Sequence, residues 1–342
     1  MRKKQKKQIL KIGGIIIALV FISVFFILRM YSNVTNTTTF IINPGDSISA
    51  VARRVSNENL VASESVFKIA IRLNGGKVQS GEYEITRGSS VWKIARMFAH
   101  GKIATTDILI PEGLTIRQVK DLLSKTEYLS GDVECEPGSN WGEACQVSDG
   151  DIFPDTYRVA RGTHRMAVIA LAQKKMQDIK MRWRKSLKAP PAPLKDWNDV
   201  LVLASIVQKE TPKTSEMRIV ASVYLNRLRR GMRLQADPTV VYALTDGYGD
   251  MRGQPLLRDH LKIDSPYNTY RNNGLPPAPI ANVGAHAIRA VLDPADTSYL
   301  FFVADGRGGH KFSKDFDEHL KNRLDWREIK RQNNPEFEEA FK

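Results

Sequence analysis

Cysteine is nearly missing from this chain, with two in 342 residues, Cys135 and Cys145. Two thiolates are too few for a structural zinc site. Histidine is scarce as well: His100, His164, His260, His286, His310 and His319 show no His-Glu-x-x-His or comparable ligand spacing, which speaks against a catalytic metal. There is no Gly-x-Ser-x-Gly elbow to expose a serine nucleophile, and no glycine-rich phosphate cradle after a strand. Neither a metal nor a cofactor is expected. Low-complexity stretches are also lacking, and with 42% hydrophobic and 26% charged residues the composition is that of a globular protein. At this length two modest domains fit, each with its own core.

What the chain does have is positive charge, formally +14. Six of these charges (Arg2, Lys3, Lys4, Lys6, Lys7 and Lys11) crowd the first eleven residues. A second basic cluster, Lys174 to Lys188, lies on an expected helix; it is either a solvated face or an attraction for anionic lipid or wall polymer. No RNA-binding aromatic platform or zinc-finger spacing accompanies either cluster, so no nucleic-acid partner is expected. Behind the first cluster, Ile12–Leu28 is a run of 17 uncharged residues. Arg29 can snorkel, and Met30 and Tyr31 extend the run toward the ~20 residues that a bilayer core requires. Arg29-Met30-Tyr31-Ser32-Asn33 offers no small-x-small cleavage site, which favours an uncleaved anchor over a signal peptide. By the positive-inside rule, residues 1–11 are expected in the cytoplasm, 12–32 across the inner membrane in a single pass, and 33–342 in the periplasm.

The two cysteines suit that placement. In Glu134-Cys-Glu-Pro-Gly-Ser-Asn-Trp-Gly-Glu-Ala-Cys145, Pro137-Gly138 can turn the chain back, and an oxidising compartment would let Cys135 and Cys145 form a disulfide. The alternative is two free thiols in a surface loop. Upstream, a pattern repeats: Ile42-Asn-Pro-Gly45-Asp-Ser47-Ile48 matches Ile85-Thr-Arg-Gly88-Ser-Ser90-Val91, with a looser third copy at Ile110-Pro-Glu-Gly113-Leu-Thr115-Ile116. Each copy pairs a short strand with a turn glycine and a Ser or Thr placed to cap a helix. Strands are expected at Thr39–Ile42 and Gly81–Ile85, making 33–130 a small α+β module. Its Gly-Asp-Ser turn and amphipathic helix resemble LysM, which binds the sugar backbone of peptidoglycan; the module is either such a binder or a spacer. Residues 131–195 form a connecting segment whose helix, from about Arg165 to Leu187, must end before Pro190-Pro191-Ala-Pro193.

Residues 196–342 carry the chemistry. Asp196 can cap a strongly apolar helix that ends at Glu210, with Pro212 beyond. Leu203, Ile206 and Val207 share the Glu210 face, whereas Gln208 and Lys209 point elsewhere. Desolvation on such a face raises a carboxyl pKa and suits a general acid; the competing explanation is a Glu paired with an arginine. The next helix is expected over about 216–230, with Ser215 as its cap and Gly231 as its stop; Met217, Val220, Ala221, Tyr224, Leu225 and Leu228 form its core face. Proline-punctuated segments follow, rich in aromatic and amide side chains that suit sugar recognition. Asn226, Gln235, Asp237, Tyr267, Asn268 and Tyr270 are the candidate substrate-binding residues. Asp237 is also open to a second role, either as the partner acid of a two-carboxylate hydrolase or as a turn and helix cap.

Ala204-Ser-Ile-Val-Gln-Lys-Glu-Thr211, Asn226-Arg-Leu228, Leu234-Gln-Ala-Asp-Pro-Thr-Val240, Tyr267-Asn-Thr-Tyr270, Gly274-Leu-Pro-Pro-Ala-Pro-Ile280 and Gly309-His-Lys-Phe312, taken together and in order, resemble the signature blocks of the MltG (YceG-like) endolytic murein transglycosylases. The resemblance runs over essentially the whole chain, including Phe153-Pro-Asp-Thr-Tyr157. It implies a mainly helical, lysozyme-like catalytic domain within an α+β protein, with Glu210 as the catalytic acid/base. It also implies lytic cleavage of the MurNAc-GlcNAc bond within nascent glycan strands, leaving 1,6-anhydroMurNAc ends and stopping strand elongation. Two positions depart from the pattern: Gln208, where members often carry Glu, and Asn282-Val-Gly284, where Asn-Pro-Gly is usual. Peptidoglycan strands are the expected partner, and a membrane-tethered cutter would be well placed beside penicillin-binding synthases. Two other functions remain, a non-catalytic glycan-binding scaffold and a two-carboxylate glycoside hydrolase.

Overall fold

The computed structural model describes residues 32–135, 140–186 and 189–333. The expected cytoplasmic tail and all but the last residue of the expected anchor lie outside them. Among the described residues no helix is long and apolar enough to cross a membrane. The protein is α+β, with ten α-helices and three two-stranded sheets among the described residues. The described residues form two compact units: one holds residues 32–107 together with Arg158–Thr163, and the other holds the described residues of 108–157 and of 164–333.

In the smaller unit, β1 (Thr38–Ile42) pairs antiparallel with β2 (Gly81–Ile85), with Thr38 opposite Ile85 and Ile42 opposite Gly81. β-branched and aromatic residues favour these strands, and alternation sends Phe40, Ile42, Tyr83 and Ile85 inward. Helices α1 (Ile48–Asn57), α2 (Glu64–Leu73) and α3 (Val91–His100) each start at a serine, Ser47, Ser63 or Ser90, whose hydroxyl accepts a first-turn backbone N–H. Phe98 fills the middle, its ring 4.6 to 5.8 Å from those of Tyr83, Phe40 and Phe67. The expected repeat is therefore real as local structure: Gly45 and Gly88 take positive φ before their capping serines. β3 (Thr105–Leu109) pairs with β4 (Thr156–Ala160).

The third copy of the pattern, which the sequence groups with the first two, belongs to the larger unit. There Gly113 also has positive φ, and Thr115 caps α4 (Ile116–Lys125) with a full capping box to Gln118. Its long-range partners decide its location: the Gly113 N–H donates to the Asn282 carbonyl (2.8 Å), and the Asn282 side chain donates to the Leu114 carbonyl (3.0 Å) and accepts from the Gly150 N–H (2.9 Å). Beyond β4 come α5 (Arg165–Lys185), α6 (Trp197–Glu210), α7 (Thr214–Arg229), α8 (Asp237–Leu244), α9 (Ala285–Leu292) and α10 (Phe316–Asn333), with an antiparallel hairpin of β5 (Phe301–Ala304) and β6 (His310–Ser313) before the last helix. From Val200 to Val207 every side chain of α6 is buried, so it is the central core helix, with α7 and α9 packed against it.

One boundary differs from expectation. Helix α7 begins at Thr214, and Ser215 is not its cap; the Thr211 hydroxyl accepts the Lys213 N–H (3.1 Å), so the turn around Pro212 is closed one step upstream. Cys135 and Cys145 are joined as a disulfide, with their Cα atoms 5.7 Å apart.

Candidate active site

Asp196 begins α6 by accepting the Asp199 N–H (3.0 Å), and Pro212 prevents the helix from continuing past Thr211. Glu210 is thus its last residue. Leu203, Ile206 and Val207, the preceding residues on its face, are fully buried. Gln208 and Lys209 leave on other faces: the Gln208 side-chain Oε1 accepts the Gly284 N–H at the start of α9 (3.2 Å), and the Lys209 ammonium donates to the Gly113 carbonyl (3.4 Å). Ser205, a turn earlier, donates to the Val202 carbonyl (2.7 Å) and accepts the Ile280 N–H (3.0 Å), tying the Gly274–Ile280 loop to the helix that carries the acid.

Glu210 keeps some solvent access, but its carboxyl is densely enclosed. That desolvation pushes its pKa up to about 7, with a smaller upward push from the Asp237 charge; a hydrogen bond from Tyr224 and the charge of Arg227 act in the opposite direction. Near neutral pH a large fraction of the group therefore carries a proton. Tyr224, on α7, donates its phenol to Glu210 Oε1 at 2.5 Å. One helical turn on, Arg227 is buried at 8% exposure, donating from Nε to the Leu300 carbonyl (2.6 Å) and from Nη1 to the Leu234 carbonyl (2.7 Å). Its guanidinium also lies 5.1 Å from the Phe301 ring centroid.

The structure brings some of the expected substrate-binding residues together and leaves others apart. Asp237 is exposed and accepts the Tyr270 hydroxyl (2.5 Å), and both groups lie within electrostatic reach of Glu210. Asp237 is not a helix cap: α8 starts at Asp237 itself, and the capping position is Ala236, with no side-chain bond. Gln235, also exposed, joins the group through Arg227, which donates to its Oε1 (3.4 Å). Two buried threonines hold this wall in place, with Thr239 and Thr269 hydroxyls 2.9 Å apart and the Ala236 N–H bonded to Thr269 (2.9 Å).

Asn268 is fully buried, its amide donating to the Leu261 and Ile263 carbonyls (3.0 and 2.8 Å), and so it shapes the loop. Asn226 likewise donates to the Thr297 and Tyr299 carbonyls (2.8 and 3.0 Å). The Tyr267 ring stands 4.8 Å from that of Tyr242, whose hydroxyl donates to Asp149 (2.7 Å). Among the described residues no group of three His, Cys, Asp or Glu side chains is placed to hold a metal ion.

Sequence reasoning misses Tyr224 and Arg227 as parts of the site. Tyr224 sits among aliphatic residues and reads as core; the signal is its hydroxyl, which when buried needs a partner. Arg227 lies inside a recognised block, three residues after Tyr224 and so on the same face, but within that block the amide of Asn226 looks the better sugar ligand.

These features define a class: an α+β protein with one proton-bearing carboxyl at the end of a core helix, facing a wall of polar and aromatic side chains. The chain belongs to the YceG-like family, whose profile matches residues 40–324. A Bacillus subtilis (strain 168) protein named endolytic murein transglycosylase is 29% identical over 308 residues, covering 83% of each chain. A Streptococcus pneumoniae (serotype 2, strain D39) protein with the same name is 30% identical over 176 residues, which is 51% of this chain and 31% of that one. The crystal structure of a yceG-like protein from Listeria monocytogenes superposes with a TM-score of 0.51 at 27% identity, covering 84% of this chain and 99% of the other.

Proposed function

We propose that this chain is a lytic murein transglycosylase that cuts the MurNAc-GlcNAc bond of peptidoglycan strands and leaves 1,6-anhydroMurNAc ends. The observation that carries the reading is the Glu210 carboxyl, raised to about 7 by desolvation at the end of an apolar helix face. Family membership and the names of the two relatives support it. Protonated Glu210 gives its proton to the glycosidic oxygen as the bond from C1 breaks. The resulting carboxylate takes the proton of the MurNAc 6-hydroxyl as O6 closes onto C1. One proton leaves and one returns, water is not consumed, and a single carboxyl serves both halves.

Further parts of the reading go with this activity. Cutting falls within nascent strands, ending their elongation. Residues 12–32 anchor the enzyme in the inner membrane, with residues 1–11 cytoplasmic and the catalytic unit periplasmic, within reach of penicillin-binding synthases. The repeated strand-turn-helix copies of the smaller unit act as a LysM-like glycan binder, and the larger unit is lysozyme-like in the arrangement of its acid helix.

Mass spectrometry of the fragments that the full-length chain releases from purified glycan tests the activity. Anhydro-ended fragments, lighter by one water than hydrolytic products, are expected, and Glu210→Gln should release essentially none, a loss reaching the upper part of the 10²–10⁴-fold range of general acid–base catalysis. Water-containing reducing ends would instead make Asp237 the working partner of a hydrolase, since its charge already acts on Glu210. No cleavage at all would favour a glycan-binding scaffold.

A further inference from the structure

We propose that Tyr224 is the positioning residue of this site, fixing which oxygen of Glu210 delivers the proton. The proposal rests on Glu210 being the proton donor. Tyr224 donates to Oε1 at 2.5 Å. In a neutral carboxyl the oxygen that accepts such a bond is the carbonyl oxygen, so the acid proton resides on Oε2. Without that bond the two oxygens are equivalent, and the proton is free to sit on either one. Packing holds Tyr224 firmly in this role, because it is 1% exposed and its ring meets Phe302 edge-on with centroids 5.8 Å apart at 87°. Burial also raises its own pKa well above the usual phenol range, so it remains a donor throughout.

The other groups that act electrostatically on Glu210 have hydrogen-bond partners of their own. Arg227, from the same helix, spends its Nε and Nη1 donors on the Leu300 and Leu234 carbonyls. Tyr270, from the loop, donates to Asp237. Asp237, at the start of α8, acts on the acid through its charge. Among the described residues Tyr224 is the one side chain that hydrogen-bonds the Glu210 carboxyl. In the reaction, the Oε2 proton passes to the leaving oxygen while Oε1 keeps the phenol bond. Oε2 is then the free lone-pair oxygen that takes the 6-hydroxyl proton as the O6–C1 bond forms. Tyr224 neither gains nor loses a proton.

The test measures kcat, KM and the pH profile of the full-length chain on purified glycan for wild type, Tyr224→Phe and Glu210→Gln. Tyr224→Phe preserves the ring and its packing, so kcat should fall about tenfold with KM nearly unchanged, because orientation rather than binding is lost. The alkaline limb of its profile should move to higher pH, because the lost bond favoured the ionised carboxylate. Replacing Tyr224 with 3-fluorotyrosine, a more acidic donor of nearly the same shape, should move that limb to lower pH; this variant carries the test if Tyr224→Phe does not fold. A wild-type kcat in Tyr224→Phe, or a reduced one with the limb unmoved in both variants, overturns the proposal. Glu210→Gln separates the two layers: if it stays active, the proton-donor reading itself fails, whereas if it is inactive while Tyr224→Phe behaves as wild type, only the positioning role fails.

Discussion

At the scale of single residues, the position of Glu210 has a consequence for stability that is separate from activity. Its folded pKa is about 7 against an ordinary 4.5. A carboxyl raised in this way binds more protons when folded than when unfolded between those two values, so stability falls as pH rises through that window. Glu210→Gln has no charge to desolvate and escapes the loss. The mutant should therefore be little different from wild type near about pH 5 and more stable by on the order of 2 kcal/mol above about pH 8. Urea midpoints of both proteins across that range are the check, and a gap that stays constant or narrows with pH would contradict an enclosed carboxyl. The face on which this residue lies is legible in sequence, because three apolar neighbours at helical spacing point one way. What lies out of reach is its hydrogen-bond partner fourteen positions on, since a buried tyrosine and a buried leucine leave the same mark on a periodic pattern.

Whole elements show how far local signals reach. Ser47 and Thr115 stand at equivalent places in the repeated pattern, and each caps its helix as expected. Ser47 is exposed, and among the described residues its hydroxyl serves only the Ala50 N–H (3.2 Å). Thr115 is fully buried; beyond capping, its hydroxyl donates to the Tyr248 carbonyl (3.2 Å), and the adjacent Ile116 N–H donates to Asp149 (2.6 Å). The two motifs look alike because the turn and the cap are local chemistry. Their surroundings differ because Tyr248 is 133 positions away, and no pattern within one copy encodes it. Ser47→Ala should therefore remove one cap, costing about 0.5–1 kcal/mol. Thr115→Ala also leaves the half-buried Tyr248 carbonyl without this donor and should cost roughly 1.5–2.5 kcal/mol. Denaturant titrations of the two variants compare them directly, and equal losses would mean that the burial around Thr115 carries no weight.

For the molecule as a whole, the α+β class and the apolar helix that ends at Glu210 are readable in the sequence, while the place of the third copy in the larger unit is not; it follows from Asn282 bonding to residues 113, 114 and 150, which only the folded chain brings together. Charge and redox chemistry bear on where that folded chain works. Six cations in the first eleven residues precede the apolar run, and positive segments are held on the cytoplasmic side. The Cys135–Cys145 disulfide lies in the larger unit, and such bonds persist in oxidising compartments, not in the cytosol. Electrostatics and redox chemistry thus independently favour the proposed placement of residues 33–342 outside the cytoplasm. With an epitope tag at residue 1, the chain should remain in the membrane pellet after alkaline carbonate washing and run at its unprocessed mass. In spheroplasts, added protease should digest the part after residue 33 and spare the tag, and an alkylating reagent should find no free thiol until a reductant is supplied. Release by carbonate or loss of the tag would overturn the uncleaved anchor, and thiols that alkylate without reduction would remove the redox support for the placement outside the cytoplasm.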